Sequence, residues 1–213
     1  MSLDLEEQEK LDALKDAWKR YGNLIVGALS IAAISYAGWQ WWQHNQQQKN
    51  AEAAALYSAL QTAQKSQQTK IVTDSAKTLT EKYGNTAYAA RAALIAAASN
   101  VQAQDSKTAK VELQWVLDHS KEDAIKSVAA LHLAQILFDE NDMNGALALL
   151  NAAHDEAYAD LYNDLKGDIL AAQNKQEDAR AAYKIALAKL AVDSPYRQVL
   201  TIKLNAVAGV TPQ

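Results

Sequence analysis

The chain has no cysteine, and this absence excludes disulfide frameworks, cysteine-ligated metal sites and thiol catalysis. Only two prolines occur, runs of β-branched residues are few, and Ala, Leu, Gln, Lys and Glu are abundant. This composition predicts an all-α protein. The 21 basic and 25 acidic residues give a net charge of −4, with no basic cluster beyond residues 15–20. Nucleic acid is therefore not an expected partner.

Patterns typical of catalytic sites are also missing. There is no glycine-rich phosphate-binding loop and no G-x-S-x-G motif. The acidic pairs at 139–140 and 177–178 flank predicted turns. Acidic residues are favourable at the start of a helix and in solvated turns, so neither pair indicates an acid–base site. None of the histidines has a second histidine or a carboxylate at zinc-site spacing; they are His44, His119, His132 and His154. The sequence predicts no catalytic, cofactor-binding or metal-binding residues, and a protein that is not an enzyme.

The stretch from Leu24 to Trp42 contains no charged side chain. As a helix it would cover about 30 Å, the thickness of the hydrocarbon core of a bilayer. Basic residues at 15, 19 and 20 precede it, and none follows until Lys49, so the positive-inside bias places the N-terminus in the cytoplasm. Aromatic residues border the stretch as in membrane interfaces: Trp18, Tyr21, Trp39, Trp41 and Trp42.

Two other interpretations of this stretch are open. A buried helix of a soluble protein would not account for the aromatic borders and the charge asymmetry. A cleaved signal peptide would have its apolar region at Leu24–Ile34 and its cleavage site near Ala37. However, the leader before it is net negative, and cleavage would leave three tryptophans at a new terminus in water. A retained membrane span is favoured.

The segments on either side of the span are predicted to be helical. Residues 3–20 place Leu11, Leu14 and Trp18 on one helix face. A juxtamembrane helix is the favoured interpretation, and a docking motif for a cytoplasmic protein is the alternative. The polar run Gln43–Asn50 contains no Gly or Pro, so the helix is expected to continue beyond the membrane.

From Asn45 onward the pattern predicts paired helices. The first is expected to end near Ser66, and the second to end before Gly84, which stands where a C-terminal cap would lie. The apolar stripe of the first helix is Ala55, Leu56, Leu60 and Ala63, and that of the second is Ile71, Leu79 and Tyr83.

The later part of the chain repeats one spacing of small and apolar residues. In a tight helical hairpin, small residues stand where the two helices cross, because larger side chains would hold the axes apart. The turns are predicted at residues 104–106, 141–144 and 174–176. The three copies are Ala97, Ala109, Leu113 and Val116; Ala134, Ala146, Leu150 and Ala153; and Gly167, Ala179, Tyr183 and Ala186.

These copies resemble the tetratricopeptide repeat (TPR), most clearly in LAQILFDENDMNGALALLNAA at Leu133–Ala153. Two positions depart from that pattern: Asn100 stands where an aromatic or aliphatic residue is expected, and Lys166 where leucine is usual. Ser194 and Pro195 are predicted to open a last helix as its N-cap and first residue. The predicted fold is a single N-terminal transmembrane helix followed by a TPR-like α-solenoid of helical hairpins with a C-terminal capping helix.

Four large aromatic residues of the repeats have two interpretations. Packing in the core or between repeats is favoured, and the alternative is a groove that takes an extended or helical peptide. They are Trp115, Phe138, Tyr158 and Tyr162.

Nearly the whole chain is similar to the YfgM-like family of ancillary subunits of the SecYEG translocon. The resemblance is carried by the acidic N-terminus, the single Trp-bordered span, and the segments YGNTAYAARAAL, DLKGDILAAQNKQEDARAAYKIAL and SPYRQVLTIKLNAVA. It implies a bacterial inner-membrane protein with its TPR-like domain in the periplasm. It further implies association with SecYEG and with a membrane-anchored, prolyl-isomerase-like (PpiD-like) periplasmic chaperone, in support of unfolded secreted proteins.

The expected organisation is a cytoplasmic amphipathic segment at 1–20, a transmembrane helix at 21–42 in contact with lipid, and a periplasmic repeat domain at 43–213. The residues alone predict a membrane-anchored protein–protein interaction module, and the translocon enters only through the resemblance. An envelope scaffold or a regulatory adaptor unrelated to secretion is the alternative function.

Overall fold

The computed structural model describes residues 2–207 and 209, and no β-strand occurs among them. Six residues lie outside the described part of the chain: Met1, Ala208 and residues 210–213. They belong to the predicted cytoplasmic segment at 1–20 and to the end of the predicted repeat domain at 43–213. A short 3-10 helix at Glu156–Tyr158 precedes α7. The helices are α1 (Ser2–Lys65), α2 (Thr69–Tyr83), α3 (Ala87–Gln102), α4 (Ser106–His119), α5 (Asp123–Asp139), α6 (Met143–Leu150), α7 (Ala159–Ala172), α8 (Gln176–Lys189) and α9 (Arg197–Val207).

The chain divides into two compact units, Met1–Ala51 and Glu52–Gln213. The described part of the first unit is helical throughout, and exposed apolar side chains occur along it, including Trp18, Ile34 and Trp41. Helix α1 runs without interruption through the polar stretch after Trp42, as the lack of Gly and Pro predicts. Among the described residues, one helix is long and apolar enough to cross a membrane, and this confirms the predicted N-terminal apolar helix.

The second unit is built from four helical hairpins: the end of α1 with α2, then α3 with α4, α5 with α6, and α7 with α8. Each hairpin turn contains one residue in the left-handed region, and the next backbone N–H donates to the carbonyl five residues earlier, which ends the first helix. The left-handed residues are Gln67 (φ 54°), Gln104 (φ 63°), Asn141 (φ 68°) and Asn174 (φ 60°). The last three lie in the turns that the sequence predicts.

Small residues stand at the crossings of the three later hairpins, as the repeated spacing predicts. Ala97, Ala109, Ala134, Ala146 and Ala179 are all buried. The closest approach is between α7 and α8. A Cβ added to Gly167 would lie 2.4 Å from Cε1 of Tyr183, so no larger residue fits without movement of the ring or of the helices.

Three residues of the predicted apolar stripes are exposed. Ala55 is exposed, and Ala53 is buried in its place. The reason is helix geometry, because residues 53, 56, 60 and 63 lie on one face of the helix, whereas residue 55 is rotated by about 100° from residue 56. Ile71 is exposed as well, and Val72 is buried instead. Ala153 is exposed because α6 ends at Leu150, before the stripe reaches it. Gly84 occupies the predicted C-cap of α2 but has right-handed helical dihedrals.

The last helix begins later than predicted. It starts at Arg197, and Ser194 and Pro195 form the turn before it. The Ser194 hydroxyl still accepts a hydrogen bond from the Tyr196 backbone N–H at 3.3 Å. Leu200 is buried in the cluster between α7 and α8, and Leu204 packs against the same cluster. Helix α9 therefore covers the end of the core, as a capping helix does.

A network of charged and phenolic groups attaches α9 to α7. The Lys203 ammonium lies 2.8 Å from a carboxylate oxygen of Asp164 and 2.8 Å from one of Asp168. The Tyr196 hydroxyl donates a hydrogen bond to the Asp164 carboxylate at 2.8 Å, and the Tyr183 hydroxyl donates one to the Asp168 carboxylate at 2.7 Å. Burial alone would lower the pKa of Lys203, but the hydrogen bonds that its ammonium donates to both carboxylates, together with their negative charge, outweigh it and raise that pKa. The ammonium is therefore charged at neutral pH.

Gly167→Ala tests the crossing of α7 and α8. The added methyl group has no space beside the Tyr183 ring, so we expect the free energy of unfolding of the second unit to fall by about 1–3 kcal/mol. Gly38→Ala is the matched control, because nothing lies within 4 Å of an added Cβ there. Denaturation of the full-length protein in detergent, followed by circular dichroism, measures both. Equal stability of the two variants would contradict the close crossing.

Lys203→Met tests the attachment of α9. Removal of the ammonium leaves two partly buried carboxylates without their cation, and we expect a loss of about 2 kcal/mol, less than for a fully buried pair because water reaches the site. Lys184→Met, at an exposed position of α8, should change stability little. The same denaturation experiment compares the two. An unchanged midpoint for Lys203→Met would show that the network does not hold α9.

Candidate interaction site

A groove runs between α2 and α4 with α3 at its floor; we call it the Trp115 groove. Its volume is about 330 Å³. Its floor residue is Ala93, and its walls combine apolar side chains with threonine, lysine and glutamate. The lining residues are Thr73, Ala76, Lys77, Thr80, Glu81, Ala93, Thr108, Val111, Glu112 and Trp115.

Helix α4 supplies the wall that carries Trp115. Asp105 caps its N-terminus, since its carboxylate accepts hydrogen bonds from the Thr108 N–H at 3.0 Å and the Thr108 hydroxyl at 2.6 Å. Ala109, Leu113 and Val116 form the buried face of the helix. Val111 and Trp115 are one turn apart on another face, and Val111 is 66% exposed. The helix therefore presents apolar side chains to the groove as well as to the core.

Trp115 lies where three depressions meet. It also lines a cavity of about 200 Å³ with Gly84 and Glu122, and a shallow depression of about 620 Å³ with Val111 and Leu137. Its ring stacks on that of His119, with centroids 4.6 Å apart and planes 9° apart. The stacking holds the indole in place while part of it stays accessible.

Glu112 is the charged group of the groove that is tied to the core. Asn100, which is only 4% exposed, donates from Nδ2 to Glu112 Oε2 at 3.1 Å. The Asn100 Oδ1 accepts in turn from the Thr73 hydroxyl at 3.1 Å. One side chain from each of α2, α3 and α4 thus forms a chain of hydrogen bonds that ends at the Glu112 carboxyl group.

Burial raises the pKa of Glu112 to about 7, although the hydrogen bond from Asn100 lowers it in part. The negative charge of Asp105 adds a smaller upward shift. The carboxyl group therefore changes charge near neutral pH, whereas an ordinary glutamate is fully ionised there.

The other aromatic residues of the repeats belong to the core, as the favoured interpretation predicts. Tyr162 is buried and donates to the Ser127 carbonyl at 2.9 Å, and His154 stacks on its ring with centroids 4.0 Å apart. Tyr158 and Phe138 are partly buried against the same cluster. Of the four predicted rings, only Trp115 lines the groove of the alternative interpretation.

The remaining polar residues singled out from the sequence lie apart from one another. His44 and His132 are exposed, and no group of three His, Asp or Glu residues in the described chain is placed to hold a metal ion. Glu140 pairs with Lys110 at 2.5 Å, while residues 177–178 lie in the first turn of α8. Lys166 reaches the side chain of Asn151 at 2.7 Å.

Two groove residues were missed by the sequence reasoning, Val111 and Glu112. Asn100 was the available signal, since a polar residue at an apolar repeat position requires a buried hydrogen-bond partner. The partner could not be read from local spacing, because Thr73 lies 27 residues before Asn100.

Glu112→Gln tests the environment of this carboxyl group. A glutamate with its usual pKa of 4.5 in the unfolded chain and about 7 in the folded one binds more protons when folded, so stability falls as pH rises through that window. We expect the variant to gain about 1–2 kcal/mol at pH 8, with the gain disappearing near pH 5. Thermal denaturation from pH 5 to 8 measures it, with Glu177→Gln as the exposed control. A gain that does not change with pH would contradict the raised pKa.

Comparison with known proteins identifies the family. The model of the tetratricopeptide repeat-like domain matches residues 15–209. Three curated relatives carry the name ancillary SecYEG translocon subunit. The one from Neisseria gonorrhoeae is 36% identical over 209 residues, covering 97% of this chain and 100% of the relative. Those from Haemophilus influenzae and Escherichia coli are 31% and 22% identical, over 84% and 96% of this chain and 91% and 98% of their own lengths.

No solved structure matches the chain significantly. The tetratricopeptide repeat-like family model agrees with the helical hairpins of the second unit. The chain belongs to the tetratricopeptide repeat-like family and, within it, to the family of ancillary SecYEG translocon subunits.

Proposed function

We propose that the chain is a membrane-anchored, non-enzymatic adaptor that associates with the SecYEG translocon and links emerging secreted proteins to periplasmic chaperones. The observation that supports this most is the name that relatives share along their full lengths, ancillary SecYEG translocon subunit. An apolar helix that fits a membrane anchor, followed by a domain of helical hairpins, suits such a role.

The proposed topology has residues 1–20 in the cytoplasm, 21–42 in the membrane and 43–213 in the periplasm. Basic residues at 15, 19 and 20 lie before the apolar stretch, and the next one is Lys49. The positive-inside bias favours a cytoplasmic position for the basic side. Trp39, Trp41 and Trp42 are exposed, and their rings suit the opposite headgroup layer.

Tethering gives the physical reason why a hairpin domain would carry an anchor. A surface confined to the membrane meets the translocon and its emerging polypeptides at a raised effective concentration, so modest affinity is sufficient. The proposed partners are SecYEG, a membrane-anchored prolyl-isomerase-like (PpiD-like) chaperone and unfolded secreted proteins.

Site-specific crosslinking in native membranes tests this function. Because the chain has no cysteine, a single Val192→Cys substitution gives one attachment point for a photoreactive maleimide, and the 89% exposure of Val192 leaves the fold undisturbed. We expect mass spectrometry of the crosslinked products to identify translocon subunits and a periplasmic chaperone, since both would lie beside the domain.

Asp16→Cys is the matched control, because the proposed topology places this exposed residue in the cytoplasm. Its crosslinks should contain no periplasmic protein. Products of Val192→Cys that lack every translocon subunit would overturn the proposal. An unrelated set of envelope proteins in their place would identify a scaffold, and a cytoplasmic signalling protein bound at Asp16→Cys alone would identify a regulatory adaptor.

A further inference from the structure

The Trp115 groove contains a carboxylate that is not paired with a cation. Seven ion-pair contacts occur in the part of the chain that the structure describes, and Glu112 takes part in none of them. Lys77, the basic residue of the groove, lies 3.9 Å from Glu81 instead and is largely solvated. The carboxylate of Glu112 can therefore accept a hydrogen bond from a cationic group that enters the groove.

Glu112 is held in position although burial disfavours its charged form. The Asn100 amide donates to the carboxyl group at 3.1 Å, and the Thr73 hydroxyl holds the Asn100 amide by a second hydrogen bond of 3.1 Å; Asn100 itself is buried. A glutamine could accept the same hydrogen bond without the cost of a buried charge. A fixed, desolvated charge that lowers stability is typical of a binding position.

The electrostatics of the groove favour a cation. The charged groups that face Glu112 are Lys77 and Glu81 from α2 and Asp105 at the start of α4, while α3 contributes the neutral Asn100. Lys77 and Glu81 offset one another. The remaining carboxylates, Glu112 and Asp105, leave the site net negative, which complements a lysine or an arginine.

The walls beside Glu112 favour an apolar side chain next to that cation. Val111 and Trp115 lie on the same helix as Glu112, and Ala76 and Ala93 face them across the groove. A volume of about 330 Å³ holds one or two side chains, not a folded domain. The occupant must therefore be a flexible segment that can insert side chains.

We propose that the Trp115 groove binds segments of unfolded polypeptide in which an apolar residue stands beside a lysine or an arginine, with the apolar side chain against Val111 and Trp115 and the cation on Glu112. The identification of these segments with secreted proteins rests on the proposed function, whereas the chemistry of the groove does not. The chain's own C-terminal residues 208–213 contain no basic residue, so they do not supply the cation.

Peptide binding to the full-length protein in detergent tests this inference. The probe is a short fluorescein-labelled Gly/Ser peptide with one Leu–Lys pair, compared with the same peptide containing Nε-acetyl-lysine or glutamate in place of lysine. At pH 8, fluorescence anisotropy should show that lysine binds about tenfold more tightly than acetyl-lysine, as expected for a charge-assisted hydrogen bond of about 1.4 kcal/mol. Glutamate should bind more weakly still.

Glu112→Gln should abolish the preference for lysine, and Glu177→Gln should keep it. Val111→Ser, at an exposed position, should weaken the lysine and acetyl-lysine peptides equally, because it removes only the apolar contact. As pH falls from 8 to 6, the preference should decrease with protonation of Glu112, and Glu112→Gln should show no such change.

The proposal is overturned if the wild-type protein binds the three peptides alike, or if Glu112→Gln keeps the preference for lysine while its melting curve shows a folded protein. Crosslinking of Glu112→Gln to translocon subunits in membranes is expected to be unchanged, since that contact does not require the groove. Loss of peptide preference with retained crosslinking would thus support the groove independently of translocon association. Retained peptide preference without translocon crosslinks would refute only the proposed function.

Discussion

The second unit depends on the close approach of its helices at points where only small residues fit. Ala97 and Ala109 are buried in their hairpin, and at Gly167 the Tyr183 ring leaves no room for a Cβ, so the paired helices approach closely at these positions. The turn between each pair is then fixed, because one left-handed residue must reverse the chain within three residues. Packing of the large side chains, such as Tyr183, follows from these crossings.

Departures from the regular repeat have different consequences in different copies. At α6 the helix is short, and its predicted last stripe residue lies outside the core. At Asn100 the departure brings a polar side chain into the interior, where it supports Glu112 at the edge of the Trp115 groove. Stability lost at such a position is characteristic of sites that bind another molecule.

The sequence predicts most of the architecture because its signals are local. Spacing places Ala109 and Gly167 at crossings, and an uninterrupted apolar stretch predicts the N-terminal helix. Spacing does not show where a helix ends, so Ala153 was assigned to the core wrongly and the start of α9 was set too early. A groove beside Trp115 was among the interpretations, but its polar side was not predicted, since it requires Thr73, Asn100 and Glu112 from three helices to meet.

The proposed role depends on the binding of flexible polypeptide at the Trp115 groove of a domain tethered by the N-terminal helix. Amide hydrogen exchange of the full-length protein in lipid nanodiscs, with and without the Leu–Lys peptide, tests it most directly. We expect the peptide to slow amide hydrogen exchange only in α2 and α4, which form the two walls of the Trp115 groove. Exchange in α8 and α9 should not change. Protection confined to α8 and α9, or none at all, would contradict it.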